Sequence, residues 1–146
     1  MSLQAPHLKM SKSHTDPKSR ILITDPPSEI LKKCMSAITD SINSVSYDPE
    51  NRPGVSNLLE LLSHFDDQQR SASQLGEAHA GLGLKAFKTL LADCIAEKLA
   101  PVSSRFEKLM EEDGGKYLDY VAELGAGRAR ESAEETMVLV REAVGL

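Results

Sequence analysis

Apolar side chains recur every three or four positions over most of this chain, and that spacing is typical of amphipathic α-helices. The longest such run begins at Leu84 and continues to about Glu112. The segment from Val55 to Phe65 is apolar on more than one side, which favours a helix buried at the centre of the fold. The helical segments that the pattern predicts are 26–38, 55–65, a short helix after Ser71, 84–112 and a last helical region over about 117–144.

Prolines and polar residues indicate where the first helix begins. Pro26 and Pro27 suit a first helical turn, and either Thr24 or Asp25 can cap it. The three apolar residues at 21–23 are too few for more than a strand fragment. No other segment alternates apolar and polar residues with the period of two that marks a half-buried strand. We therefore expect at most one short strand.

Three further signals divide the rest of the chain. Ser71 followed by Gln74 is typical of a capping box for a short helix. Pro101 lies inside the long apolar run, where it predicts a kink within one helix instead of two separate helices. Gly114 and Gly115 form a clear break before the last helical region. The predicted fold class is therefore all-α, a helix bundle preceded by a flexible loop.

Length and composition fit this interpretation. The chain has 146 residues, of which 40% are hydrophobic, so it can build one core of its own and is not disordered throughout. No run of about 18 apolar residues exists that could span a membrane. Cys34 and Cys94 lie 60 positions apart, which fits neither a disulfide scaffold nor a paired-cysteine metal site. We expect two buried free thiols.

The charge is unevenly distributed along the chain. Four basic residues against Asp16 alone give residues 1–20 a charge of +3, so the remaining 126 residues carry −8 of the total of −5. A basic N-terminal segment on an otherwise acidic chain argues against a protein that coats duplex nucleic acid. It favours local binding of a small polyanion near the N-terminus. The alternative is a basic tail that binds nothing. Residues 1–20 are rich in polar residues and predict a mobile loop or tail.

Little in the sequence supports nucleophilic catalysis or metal binding. The four histidines are scattered, and no Gly-x-Ser-x-Gly elbow accompanies them, so no nucleophilic triad is predicted. His64, Asp66 and Asp67 form a loose polar cluster that most simply is a solvated helix end. We assign no metal site.

The most informative stretch is Lys9 to Ser13, in which lysines and small hydroxyl residues alternate. Two lysines three residues apart on a loop can place two ammonium groups and two hydroxyl donors around a polyphosphate. Lysines that close on the phosphates in the transition state would accelerate phosphoryl or nucleotidyl transfer. The alternative is a basic, serine-rich tail that serves as a kinase target.

These five residues are identical to the signature loop of class I aminoacyl-tRNA synthetases. The surroundings narrow the likeness to the C-terminal part of bacterial-type and mitochondrial tryptophanyl-tRNA synthetases, which the chain resembles in order over nearly its whole length. Residues 39–41 and 52–59 are similar to the tryptophan enzymes in particular. The segments that carry the resemblance are MSLQAPHLKMSKS, ITDPPSEILKKCMSAITDS, YDPENRPGVSNLLELL and LKAFKTLLADCIAEKLAPVSSRFEKLM.

The resemblance implies a function for the loop. Lys9 and Lys12 are expected to act in catalysis by stabilising the phosphates of ATP, which enters with Mg²⁺ during tryptophan activation. The ATP-binding residues that it implies are Lys9, Met10, Ser11, Lys12 and Ser13. The implied activity of the intact enzyme is tryptophan–tRNA ligase, with tRNA(Trp), ATP and tryptophan as substrates and a homodimer as the assembly.

The resemblance also implies an organisation of the chain. Residues 1–24 would be the signature loop with a remnant of the catalytic domain, and residues 25–146 a helical, anticodon-binding-type domain. Family members carry a Rossmann half with the tryptophan pocket before this region, and this chain has no counterpart of it. The chain alone is therefore expected to be inactive. The resemblance places the enzyme in the mitochondrial matrix, with the bacterial cytoplasm as the alternative.

Two questions stay open at this point. The RNA contacts are uncertain, because exposed basic residues on helices are more often solvated charges; the candidates are Lys85, Lys88, Arg105, Arg128 and Arg130. The alternative function is a non-catalytic helical interaction module with a basic regulatory tail.

Overall fold

The computed structural model describes residues 1–146 and contains five α-helices, two short 3-10 turns and no strand. The all-α prediction is confirmed. Residues 21–23 do not form a strand, because the chain turns there and the Asp25 amide donates to the Leu22 carbonyl at 3.1 Å. The helices are α1 (Pro27–Ser36), α2 (Pro53–Ser63), α3 (Ala72–Ala78), α4 (Leu84–Glu111) and α5 (Lys116–Val144), and the 3-10 turns span Pro17–Ser19 and Glu112–Gly115.

The chain divides into two compact units, Met1–Ser103 and Ser104–Leu146. The assignment of residues 1–24 to a catalytic domain and of residues 25–146 to an anticodon-binding domain stays a prediction.

Helix α2 lies at the centre of the first unit, as its apolar pattern predicts. Val55, Leu58 and Leu59 are fully buried, and Leu62 is nearly so. Burial of each such side chain contributes about 1.5–3 kcal/mol. The core around α2 comprises Leu3, Ile30, Cys34, Ala37, Val45, Ala72, Leu75, Phe87, Leu91, Ala92 and Ile95.

The predicted cap of α1 is wrong. Pro26 occupies the N-cap position and makes no side-chain cap bond. The Asp25 carboxylate instead accepts hydrogen bonds from the Leu22 amide at 2.8 Å and from the Lys33 ammonium at 2.5 Å. The side chains of Asp25 and Lys33 are both largely buried, so a tertiary ion pair takes the carboxylate that local sequence reasoning assigned to the helix end.

The other predicted helix boundaries agree with the structure more closely. Ser71 and Gln74 form the reciprocal hydrogen bonds of a capping box at the start of α3. Helix α4 continues through Pro101 as one helix. At the predicted break, Gly114 and Gly115 adopt positive φ angles of 64° and 87°. Such angles are readily accessible to glycine because it has no side chain.

A buried arginine organises the loop between α1 and α2. The Arg52 guanidinium forms a bidentate salt bridge with the Asp40 carboxylate, and both hydrogen bonds measure 2.9 Å. It also donates to the Ser46 hydroxyl and to the carbonyls of Ile42 and Ser44. The hydrogen bonds from Arg52 hold the pKa of Asp40 below its usual range. These contacts give a physical reason for an arginine directly before α2.

The second unit contains the end of α4, the turn and α5, and it has no fully buried residue. Leu109 and Leu118 are half-buried, whereas the α5 side chains of Met137 to Val140 are 41–66% exposed. No helix of the protein combines the length and the apolar character that crossing a membrane requires.

Several parts of the first unit meet at the segment Met35–Ile38, which we call the junction segment. Helix α1 ends at Ser36, two residues before the predicted end, because Ala37 adopts an extended ψ of 136°. The Ile38 amide then donates to the Leu3 carbonyl at 2.9 Å. From α4, the buried Lys88 ammonium donates to the Ala37 carbonyl at 2.7 Å. The junction segment therefore links α1, α4 and the N-terminal residues.

Helix α2 approaches the junction segment so closely that only glycine fits at its second position. A Cβ atom added at Gly54 would lie 2.2 Å from the Ile38 carbonyl oxygen and 3.0 Å from the Thr39 Cα atom. Both are backbone atoms, so relief requires that α2 or the junction segment move.

The substitution Gly54→Ala should therefore lower the free energy of unfolding by about 1–3 kcal/mol, the usual cost of overpacking a close contact. Urea unfolding followed by circular dichroism measures this change. The matched control is Gly125→Ala in α5, where nothing lies within 4 Å of the added methyl group. The control should be neutral or stabilise by up to about 1 kcal/mol. Equal effects at both positions would contradict the packing argument.

Candidate functional site

The signature residues Lys9–Ser13 lie in a loop of residues 4–18, which we call the N-terminal loop. Its base is closed by the backbone: the Leu3 amide donates to the Ser19 carbonyl at 3.0 Å, and the Ser2 amide donates to the Leu8 carbonyl at 2.7 Å. Leu3 and Ser19 are each only 1% exposed. The prediction that residues 1–20 form a mobile loop or tail is therefore wrong for the base, which is packed into the first unit.

Polar side chains also fix the start of the loop. The Asn57 amide of α2 donates to the Ser2 carbonyl at 3.1 Å. The Ser2 hydroxyl accepts from the amides of Gln4 and Ala5, each at 3.3 Å. The Gln4 side chain donates to the Ser36 carbonyl of the junction segment at 3.0 Å. The loop thus starts from a point that is held by both α1 and α2.

Short-range contacts shape the far side of the loop. The hydroxyls of Ser11 and Ser13 are 3.0 Å apart, and the His14 amide donates to the Ser11 carbonyl at 3.3 Å. The Arg20 guanidinium donates to the His14 carbonyl at 3.0 Å. The Asp16 carboxylate accepts from the Lys18 amide and caps the 3-10 turn that ends the loop. These bonds hold the loop in a closed turn beyond Lys12.

The two signature lysines have no partner in the protein. Lys9 and Lys12 are exposed, and neither forms an ion pair or a side-chain hydrogen bond. Met10 between them is half-buried and packs against the core. The arrangement therefore presents two free ammonium groups and the hydroxyls of Ser11 and Ser13 on an anchored loop. This donor set can bind an oxyanion such as a phosphate.

The basic residues suggested for RNA contact divide into two groups. Lys88 is wrong as a candidate, because it is 8% exposed and its ammonium is bound to backbone carbonyls of the junction segment. Burial lowers its pKa. The remaining candidates are exposed on α4 and α5, and they are Lys85, Arg105, Arg128 and Arg130.

The cysteines and the acidic residues do not assemble into a further centre. Both cysteines are free: Cys34 is buried, which raises its thiol pKa to about 11, and Cys94 is half-buried. No group of three or more histidine, cysteine, aspartate or glutamate side chains is placed to hold a metal ion. An open groove of about 950 Å³ runs along α4, its lining residues including Ala86, Leu90 and Cys94, and no residue of the N-terminal loop lines it.

The sequence did not predict the residues that anchor the base of the N-terminal loop, most clearly Leu3 and Asn57. A local signal existed for Asn57, since it is a polar residue in the most apolar helix of the chain. For Leu3 there was no comparable signal, because a single leucine near a polar stretch has no periodicity.

The structure is thus an all-helical body that carries an anchored loop with two unpartnered lysines. A family model described as tRNA synthetases class I (W and Y) matches residues 1–101. The chain belongs to this family.

Its relatives are tryptophan–tRNA ligases. The chain is 39% identical over 146 residues to that of Oceanobacillus iheyensis and 38% identical to that of Enterococcus faecalis. The crystal structure of tryptophanyl-tRNA synthetase from Mycoplasma pneumoniae matches the whole chain with a TM-score of 0.77 at 25% sequence identity. The chain spans 43%, 42% and 43% of these proteins, respectively. All three come from bacteria, so they lend no support to the mitochondrial expectation.

Amide hydrogen exchange should separate the anchored base of the loop from its exposed residues. The Leu3 amide, bound to Ser19 in a buried site, should exchange at least about 100-fold more slowly than the amides of Lys9 and Lys12, which have no acceptor. Exchange monitored by NMR at single residues tests this. Equal exchange at Leu3 and Lys12 would show that the base is not held in solution.

Proposed function

We propose that this chain is the part of a tryptophan–tRNA ligase that contacts the phosphates of ATP through Lys9 and Lys12. The main support for this proposal is that both lysines lack any protein partner, while the loop that bears them is fixed at its base. Charge that develops on phosphate oxygens during tryptophan activation needs cations that are available at that moment. The family membership supports this reading of the loop.

The chemistry assigned to each residue follows from its type. The ammonium groups of Lys9 and Lys12 act as compact point charges toward the phosphates, and the hydroxyls of Ser11 and Ser13 donate hydrogen bonds. Met10 ties the segment to the core. ATP enters with Mg²⁺, and tryptophan and tRNA(Trp) are the other substrates of the whole enzyme.

The remaining parts of the proposal rest on the resemblance. We assign the chain to the C-terminal part of the ligase, with residues 25–146 as the tRNA-binding helical domain, the tryptophan pocket outside these residues and a homodimer as the whole assembly. The bacterial relatives favour a cytoplasmic enzyme over a mitochondrial one.

One observation favours a second candidate function. The exposed apolar side chains of Met137 to Val140 could bind a protein partner, as a helical interaction module with a basic regulatory tail would. In that case Lys9 and Lys12 would have no role in catalysis, and the experiments below would show no effect of their removal.

The 146-residue chain by itself should not activate tryptophan. Two lysines on a loop supply charge but do not position the amino acid against ATP, and positioning contributes a large part of the rate. Tryptophan-dependent exchange of labelled pyrophosphate into ATP measures activation. Exchange well above that of a blank without protein would contradict this prediction and place the whole activation site within the chain.

In a full-length ligase that contains this segment, Lys12→Ala should lower kcat for adenylate formation by about 100-fold while changing KM for ATP less than threefold. Lys12→Arg should also be impaired, since a planar guanidinium replaces a compact charge poorly. Lys18→Ala is the matched control, because Lys18 is exposed on the same loop outside the signature. A rise in KM with unchanged kcat would indicate uniform binding instead.

A further inference from the structure

We propose that Asn57 is a positioning residue that sets the register of the N-terminal loop and thereby the placement of Lys9 and Lys12. This inference rests on the proposed function, because the register of the loop matters only where the lysines meet a ligand. No contact between Asn57 and a substrate is implied, since the residue is only 4% exposed inside the first unit.

The path from Asn57 to the lysines is short. Its side-chain amide donates to the Ser2 carbonyl at 3.1 Å, and the Ser2 amide donates in turn to the Leu8 carbonyl at 2.7 Å. Leu8 directly precedes Lys9 in the chain. Ser2 is therefore bonded on one side to Asn57 and on the other to Leu8, and fixing it holds the point from which the signature residues leave the base of the loop.

Asn57 acts together with backbone hydrogen bonds at the base of the loop: the Leu3 amide donates to the Ser19 carbonyl at 3.0 Å, and the Leu3 carbonyl accepts from the Ile38 amide at 2.9 Å. The Asn57 bond differs from these because it comes from a side chain of α2 and ties the base of the loop to that helix. A hydrogen bond to a particular carbonyl requires a particular distance and angle. Asn57 is well suited to impose that geometry because α2 is the most buried helix of the unit, with Leu58 and Leu59 fully buried beside it.

One polar atom of the Asn57 side chain has no hydrogen-bond partner, which lowers the stability of the folded state. Its carbonyl oxygen Oδ1 is the one buried side-chain nitrogen or oxygen atom in the chain that has no hydrogen-bond partner. An unsatisfied buried acceptor destabilises the folded state. The same side chain offsets this cost through its amide donor, which satisfies the buried Ser2 carbonyl.

The test compares Asn57→Leu with wild type in the 146-residue chain. Leucine has a similar shape and removes both the donor and the unpaired acceptor. It also leaves the buried Ser2 carbonyl without a donor, so we expect the thermal midpoint to fall, as any such loss would cause. We expect amide exchange at Ser2 and Leu3 to accelerate at least tenfold relative to Leu58 in α2, which a purely structural loss would not produce. We also expect inorganic tripolyphosphate, titrated against the NMR signals of Lys9 and Lys12, to bind at least threefold more weakly.

Asn43→Leu is the matched control. The Asn43 side chain is likewise bonded to the backbone, but as an acceptor from the Leu84 amide at the start of α4, and this bond does not involve the N-terminal loop. This change should lower the thermal midpoint and leave both exchange at Leu3 and tripolyphosphate binding as in wild type. The control thus shows how a purely structural loss behaves.

The outcomes separate the alternatives. If Asn57→Leu leaves exchange at Ser2 and Leu3 as in wild type, or changes it only in proportion to Leu58, the positioning role is overturned. If Asn57→Leu does not fold, Asn57→Ala takes its place, and the ratio of exchange at Leu3 to exchange at Leu58 decides in the same way.

The proposed function can fail separately. Wild-type chain that binds no tripolyphosphate, or binding that persists in Lys9→Ala and Lys12→Ala, would count against the phosphate contact. The role of Asn57 in loop register would then be judged on exchange alone.

Discussion

The structure depends on the backbone of the junction segment, Met35–Ile38, which forms hydrogen bonds with α4 and with the N-terminal residues and lies in close contact with α2. The end of a helix leaves carbonyl groups without intrahelical partners, and here the buried Lys88 ammonium of α4 satisfies the Ala37 carbonyl just beyond α1. The same segment binds Leu3 through the Ile38 amide and touches Gly54 of α2. A conformational change at this one place would therefore alter the helices and the base of the loop together.

This arrangement combines two properties that the proposed function would require of the N-terminal loop. Cations that meet a phosphate in the transition state should be available in the resting protein, and Lys9 and Lys12 are unpaired and exposed. An untethered loop, however, would lose conformational entropy each time it bound a ligand. Anchoring the base through Leu3 and Ser19 reduces that loss without pairing the lysines. The anchored base of the loop and its unpaired lysines are thus separated by only a few residues.

The parts of the fold that the sequence predicted are those governed by local rules. Apolar periodicity located α2 and α4, and the Ser71 cap marked the start of α3 because its partners lie within three residues. The contacts that anchor the base of the N-terminal loop could not be predicted in this way. The Asn57 to Ser2 bond joins residues 55 positions apart, and the Lys88 to Ala37 bond joins residues 51 positions apart. Periodicity carries no information on such pairs, so the signature residues were found and their support was not.

The lysines of the first unit show why charge counted along a sequence is an incomplete guide to binding. Lys33 and Lys88 are buried and already engaged, one with the Asp25 carboxylate and the other with backbone carbonyls. Replacing either partner by an external anion would leave a buried acceptor unsatisfied, which is unfavourable. Lys9 and Lys12 incur no such penalty, because they have no partner to give up. The environment of each ammonium group, rather than the number of lysines, therefore determines which of them can meet an incoming phosphate.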